Sequence, residues 1–494
     1  MSEDRQSDPR LTRAQLLRRA AAGAGLAVLG GGAYGIDRLV SGGDSPKVTG
    51  TRVRTFHSRP DLQPQLVEIL HPAEGVGRGR IFLAPSSGAG QRGPMIVDDA
   101  GEVIWFRPTD PHTVMDFRPG LWRGEHVLTW WEANDGGGLG NGEHVIVDAS
   151  YTELARFPAG NGLPSDLHEL RLTTEGTALV TAFETRPMDL SAYGGPKHGH
   201  VMGGVAQELE VPSARVLLNW ASLDHVDVAE SYTRAGYPWD YFHINSIDVD
   251  YDGNLLVSGR NTWAVYKVHR HTGEVIWRLG GKRSDFKLGK GARFAFQHDA
   301  RRHGDRGTSI SVFDNGGAER RQVESQSRAL FLTLDHRAKT ATVAREYTHS
   351  PPIFGRQMGN VQVLPNGNVF VGWGTDPHTT EFAEDGSVRF DATLPYGGEN
   401  YRAFRFPWTG KPADRPTLVQ QVDRLWASWN GATEVAAWRV DAGPSPTRLR
   451  PDETRPRTGF ETSLPVPRRA AFAVAVALNR DGETLGRSPA LRIV

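Results

Sequence analysis

The chain has 494 residues, enough for a large core and more than one domain. Its 57 basic and 57 acidic side chains balance, so no global field draws it to nucleic acid or to an anionic membrane. It has no cysteine, which excludes disulfides, thiolate zinc sites, a cysteine nucleophile and a cysteine-linked lipid anchor, while 57 Gly, 31 Pro and 13 Trp fit a loop-rich all-β protein.

Residues 1–40 read as an export signal or N-terminal anchor. Arg10, Arg13, Arg18 and Arg19 form a basic leader, and the uncharged stretch 20–36, rich in Ala and Gly, follows it. A paired arginine ahead of a weakly hydrophobic stretch is the pattern of twin-arginine export, which places the protein in the cell envelope or outside the cell. If the segment stays uncleaved, it is the one expected membrane contact. Residues 41–65 read as a linker.

From residue 66 the pattern is a repeat. One type of segment is a turn flanked by apolar alternation: 78–85, 122–131, 173–183, 250–260, 303–313 and 364–374. A second type follows each of them, at 95–106, 144–157, 207–220, 265–279, 330–346 and 380–394. Each pair supplies an inner and an outer hairpin. Six units of four antiparallel strands predict a six-bladed β-propeller over 66–412, since closure into a ring removes the exposed edges of a linear array. Residues 413–494 change character. A Trp-bearing strand, short turns and the alternation of Phe472, Val474, Val476 and Leu478 before Asn479-Arg480-Asp481-Gly482 predict a small immunoglobulin or fibronectin III-like β-sandwich with no reactive groups.

The chemistry concentrates in 240–260, DYFHINSIDVDYDGNLLVSGR. Ile247, Val249, Leu255 and Val257 alternate about the turn Asp252-Gly253-Asn254, which predicts a hairpin. Its two ends bring His243 beside Arg260. His168 in SDLHELRLT and His298 in FAFQHDARRHGD occupy the same phase of neighbouring hairpins. Taken singly, each histidine reads more readily as a structural residue. Three at one phase, with a guanidinium, predict a cluster around the axis.

Three imidazoles also suit zinc, copper or iron. Against a metal, Asp166, Asp248 and Asp299 flank the histidines at differing offsets, so no carboxylate shares their phase. Arg260 favours an oxyanion over a cation. The residues point to a tetrahedral anion or ester, with no metal or cofactor and with histidine as nucleophile or proton donor. His198 and His200 read as part of a Gly-rich surface loop, and His269, His271 and His336 as outer-turn residues. Trp263 and Trp373 follow inner strands, where they could stack an aromatic ligand.

The segments DLHEL, DYFHINSIDVDYDGNLLVSGRN, GEVIWRLGG, FQHDARR, GNVQVLPNGNVFVGWG, TEFAEDG and YRAFRFPWTG together resemble the bacterial arylsulfotransferase family. The resemblance covers about residues 66–412. It implies a six-bladed propeller in exported enzymes that move a sulfuryl group from an aryl sulfate ester to a phenolic acceptor without the nucleotide donor PAPS. Carried over by motif, it implies that His298 is transiently sulfated and that His243, Arg260 and His168 serve the same site. The lack of cysteine departs from cysteine-containing members, and the trailing sandwich sets the chain in a divergent branch. Two other classes of function stay open on the residues alone: a non-enzymatic propeller that binds sulfated or phenolic ligands, and a metal-dependent hydrolase built on the histidines.

Overall fold

The computed structural model describes residues 52–134, 142–304, 306–318 and 321–494, so the expected export segment lies outside the described residues. The architecture is all-β. Among the described residues the strands from residue 80 form six sheets, each built on four antiparallel strands that follow chain order in all but the first; short parallel strands extend the third and fifth. The second sheet holds Thr113–Trp122, Glu125–Ala133, Gly142–Val147 and Glu153–Phe157, and the third holds Ser165–Leu172, Thr177–Met188, Gly199–Glu210 and Arg215–Ala221. The fourth runs Ile244–Val249, Leu255–Gly259, Ala264–Val268 and Val275–Gly280. The fifth runs His298–His303, Ser309–Asp314, Arg328–Asp335 and Thr340–Tyr347. The sixth runs Asn360–Val363, Val369–Gly372, His378–Phe382 and Val388–Thr393, with Glu68–His71 added on its outer edge. The first sheet is assembled from both ends of this region. Phe404–Phe406 pairs with Arg80–Leu83, which is followed by Met95–Val97 and Val103–Phe106. That closing strand was not foreseen in the sequence.

The turns form where the chemistry requires them. At 250–254 the amide of Asp250 donates to the carbonyl of Asn254 at 2.7 Å, and Gly253 has φ +80°, a conformation that costs glycine little. The strand that follows, Leu255–Gly259, is buried on both faces because sheets pack on both sides of it. Separate apolar clusters fill the gaps between successive sheets. Phe117, Trp130 and Ile96 join the first to the second, and Leu170, Val180 and Phe157 join the second to the third. Ile247, Tyr266 and Val201 continue the series, and Leu256 packs with Ile310. Phe331 meets Val371, and Phe370 and Phe390 of the sixth sheet pack on Ile81 and Val97 of the first. The arrangement is propeller-like.

The innermost strands are β1 (Thr113–Trp122), β2 (Ser165–Leu172), β3 (Ile244–Val249), β4 (His298–His303), β5 (Asn360–Val363) and β6 (Phe404–Phe406). Polar groups lace them in sequence. Leu170 N donates to Asp116, Ile247 N to Glu169, Ala300 N to Ser246 Oγ, and Val361 N to Asp299. Asn360 exchanges two hydrogen bonds with the backbone of Ala403. Arg402, just before β6, donates to Asp116 on β1 at 2.9 Å. The register breaks at one phase in β1 to β4: between Met115 and Arg118, Ser165 and Leu170, Ile244 and Ser246, and His298 and Arg301. Such bulges turn side chains away from the regular pleat.

Residues 413–494 form two further antiparallel sheets, one of three strands and one built around Ala437–Ser445 and Phe472–Leu478. Leu425, Trp438, Val440, Leu464 and Ala475 fill the core between them. Residues 52–65 are not a free tether. Phe56 and Leu62 are buried, Phe56 packs on Phe460 at 4.1 Å, and Ser58 Oγ donates to Glu461 at 2.7 Å. Among the described residues no helix is long and apolar enough to cross a membrane.

Candidate functional site

The hairpin of the fourth sheet does what its pattern predicts. The amide of Arg260 donates to the carbonyl of His243 at 3.0 Å, so both residues sit at one end of the hairpin. His243 lies just before β3 in the left-handed region, φ +54°, a conformation non-glycine residues rarely hold without function or constraint. His168 lies within the bulge of β2, and His298 opens β4. All three are buried, and one ring nitrogen from each lies within 4.8 Å of the others. The His168 ring centroid is 5.0 Å from that of His243 and 6.3 Å from that of His298. Arg260 is 8% exposed, and its guanidinium stands 5.2 Å from the Phe296 ring. The structure therefore brings together all four residues singled out in the sequence.

What differs among the histidines is the partner of Nδ1. His168 Nδ1 donates to Asp166 at 2.7 Å, and His243 Nδ1 donates to Asp240 at 2.5 Å. His298 Nδ1 lies 2.8 Å from Asn315 Oδ1. The Asn315 amide has no ambiguity of orientation, because its Nδ2 donates to the carbonyls of Gly355 at 2.6 Å and Met358 at 3.0 Å. Its oxygen must therefore face His298, so Nδ1 of His298 carries the hydrogen and Nε2 carries the lone pair. Burial, then the charge of Arg260, push the His298 pKa well below its ordinary value, so the ring stays neutral. Burial also lowers the pKa of His243, against the opposing pull of Asp240. Burial favours the neutral acid at Asp166, but the charge and hydrogen bonds of His168 overcome it and hold this carboxyl below its ordinary range.

These carboxylates correct the sequence reading, which found none in phase with the histidines. Asp166 and Asp240 reach the Nδ1 atoms from two and three residues upstream. Asp299 belongs to a different layer, formed by the residues just past His168 and His298, and Asp248 pairs with Arg171 farther along its strand. In that layer Arg402, fully buried, meets Asp116, Glu169 and Asp299. Arg301 bonds Glu169 and Asp299 at 2.7 Å each, and Arg118 bonds Asp116 and Glu169. Burial would raise the Glu169 pKa, but Arg301, Arg402 and Arg118 hold it far below its ordinary value. Each guanidinium in this layer meets a carboxylate, so the layer holds the strands in register; burial pushes the Asp116 carboxyl above its ordinary range against the pull of Arg118 and Arg402.

Tyr401 is buried with its ring 5.6 Å from His168 and 4.8 Å from the Arg402 guanidinium, and its hydroxyl donates to the His168 carbonyl at 3.2 Å. It packs with Met115, Trp131 and Met358, which gives His168 apolar neighbours. Sequence reading missed Asn315, Asp240, Tyr401 and Arg402. A signal existed for the last two, since Tyr401-Arg402 opens YRAFRFPWTG, one of the segments that carry the family resemblance.

Trp263 and Trp373 are not available to a ligand as expected. Trp263 is 1% exposed and stacks on Tyr232 at 3.8 Å, while Trp373 is fully buried and donates from Nε1 to Thr380. The Gly-rich segment around His198 and His200 is not a loop throughout, because from Gly199 it is a strand of the third sheet. A cleft of about 370 Å³ between the third and fourth sheets, lined by Glu208, Trp220, His225 and Arg270, contains none of the axial histidines.

Three imidazoles this close could also ligate a metal ion. Arg260 beside them opposes a cation and suits an anionic group with three equatorial oxygens.

Known proteins give a consistent picture. No curated protein matches the chain. Among solved structures it is similar to a Bacteroides caccae protein of unknown function, at 13% identity over 66% of this chain and 98% of that one, with a TM-score of 0.41. It is also similar to the periplasmic gluconolactonase PpgL of Pseudomonas aeruginosa, at 12% identity over 79% and 99% of the two chains, TM-score 0.34. A Staphylococcus aureus virginiamycin B lyase shows 8% identity over 74% and 96%, TM-score 0.35. Nothing about function follows from likenesses of this size. The family model for arylsulfotransferase (ASST) matches residues 118–394, more than half of the chain and the span that carries all three histidines and Arg260, and the chain belongs to that family.

Proposed function

We propose that the protein is a PAPS-independent aryl-sulfate sulfotransferase that works through a sulfohistidine at His298. The observation that carries this reading is the fixed tautomer of His298: an amide oxygen that cannot flip takes its Nδ1 hydrogen, leaving a neutral ring with its lone pair on Nε2. Nε2 attacks the sulfur of the donor ester. The N–S bond forms as the S–O bond to the aryl group breaks, and the phenolate leaves with the electron pair. His168 or His243, each with its Nδ1 on a carboxylate, gives the departing oxygen its proton. Arg260 holds the sulfuryl oxygens as charge moves across them. In the second half the same histidine takes the proton of the acceptor phenol, whose oxygen attacks sulfur and releases His298. Tyr401, Met115 and Met358, the apolar neighbours of His168, suit the aryl group.

The same reading makes the six sheets the blades of a propeller over 66–412, closed by Phe404–Phe406, and makes 413–494 an immunoglobulin or fibronectin III-like sandwich for packing or attachment. Export by the twin-arginine route rests on residues 1–40 of the sequence. A second reading, a metal-dependent hydrolase, is favoured by the spacing of the three ring nitrogens.

The test mixes the purified chain with a chromogenic aryl sulfate, without nucleotide, with and without phenol. Chromophore release stimulated by phenol and lost in His298→Asn supports the proposal. Release indifferent to phenol and abolished by a chelator supports the hydrolase. Ligand binding without release leaves a receptor.

A further inference from the structure

A second histidine cluster lies apart from the axis, where the fifth sheet hands over to the sixth. His349 follows the last strand of the fifth sheet, His378 begins the third strand of the sixth, and Asp391 lies in the fourth. One ligand atom from each lies within 4.8 Å of the others. His349 Nε2 stands 3.2 Å from Asp391 Oδ2, near the roughly 3.4 Å that separates two ligands of a tetrahedral zinc ion.

Each of the three is oriented from behind. His349 Nδ1 donates to the carbonyl of Pro351 at 2.7 Å, and His378 Nδ1 donates to Asp376 at 2.5 Å. A carbonyl and a carboxylate can only accept, so both rings carry their Nδ1 hydrogens outward, and the other nitrogen of His349 is the one that meets Asp391, the contact an ion would replace by binding both. Asp391 Oδ1 accepts from Thr380 at 2.6 Å, and Thr380 in turn accepts from Trp373 Nε1 at 3.0 Å. Histidine and carboxylate ligands backed by carboxylate, carbonyl and hydroxyl partners are the arrangement by which proteins aim a metal's ligands. His349 and Asp391 are almost buried, whereas the His378 side chain is 23% exposed, so an ion could enter from that side.

We propose that His349, His378 and Asp391 bind a zinc-type divalent ion, with the fourth position open to water. Two imidazoles and one carboxylate favour zinc over calcium or magnesium, which prefer all-oxygen cages. The ion clamps the segment that leaves His349 for β5. That segment carries the Gly355 and Met358 carbonyls that orient Asn315, so the clamp braces the partner of His298 without touching the axis.

The full chain is stripped with a chelator, dialysed and titrated with Zn²⁺ alone, and separately with Co²⁺, whose visible absorption reports tetrahedral ligation. The expected result is one equivalent bound, a Co²⁺ spectrum with imidazole ligands, and a zinc-dependent rise in melting temperature. All three should be lost in His378→Ala and in Asp391→Asn, and kept in His298→Asn and His168→Ala. Asp376→Asn should weaken binding by about 10–100-fold. No ion bound by the wild-type chain would overturn the proposal and leave His349 and Asp391 as an ion pair. Binding that survives His349→Ala/His378→Ala, or that vanishes in His298→Asn, would overturn it too.

Discussion

Two layers cross the axis of this protein, built from neighbouring residues of the same strands, and they have opposite chemistry. His168 and His298 lie in one, and Glu169 and Asp299, the next residues along, lie in the other. In the lower layer three guanidiniums meet three carboxylates, and the strands are locked to one another. In the upper layer the Nδ1 atoms of His168 and His243 meet carboxylates, and that of His298 meets an amide oxygen. One step along a bulged strand thus separates guanidiniums and carboxylates that lock the strands together from imidazoles, of which His298 has a neutral amide partner at Nδ1. Reactivity here depends less on which residues are buried than on what each of them meets.

The comparison is broken most directly at its reactive end. His298→Asn should leave the fold intact and reduce sulfuryl transfer by more than about 10⁴-fold, as expected for loss of a nucleophile. A melting curve beside the rate assay separates this from unfolding. At the inert end, Arg402→Met should cost about 3–5 kcal/mol of stability, because it leaves Asp116 and Glu169 buried without their central partner. Denaturant unfolding measures it. Arg260→Met should lower transfer by about 10²–10³-fold with little change in melting temperature, the signature of lost charge stabilisation.

Two further predictions sharpen the contrast. Asn315→Asp gives His298 the carboxylate partner that His168 and His243 already have. It should raise the His298 pKa and move the acid limb of the first half-reaction upward, whereas the wild-type limb should lie well below pH 6.5. A pH profile of phenol release in a single turnover reads this. The smallest effect concerns stability in acid. Buried His144 has its pKa lowered to about 4, so between pH 6.5 and 4 the unfolded chain binds a proton that the folded chain does not. Stability should fall as pH drops through that window, by about 3 kcal/mol in full, and His144→Gln should flatten that part of the curve.

The inner hairpins and the three histidines were legible in the sequence because a strand's period and a turn's glycine are local signals. Val257 and Gly253 announce themselves without knowledge of any partner. The closing strand Phe404–Phe406 was not legible, since its partner, Arg80–Leu83, lies more than 300 residues away. Nor were the groups that decide the chemistry. Asn315 serves His298 from just past the end of the next strand, and Asp240 reaches His243, which is itself held at positive φ. Bulges shift side chains by a residue, so equal spacing in sequence no longer means equal phase in space. That is why Asp166, Asp248 and Asp299 looked alike as flanking carboxylates, while Asp166 and Asp240 are the ones that bind the rings.

The account turns on where the sulfuryl group rests between donor and acceptor. The chain should be mixed with an aryl sulfate in the absence of any acceptor, quenched in alkali, digested and examined by mass spectrometry. The account predicts one added SO₃ per chain on the peptide containing His298, absent in His298→Asn and discharged when phenol is added before the quench. Phenol-dependent turnover with no such adduct, or an adduct on another residue, would contradict it.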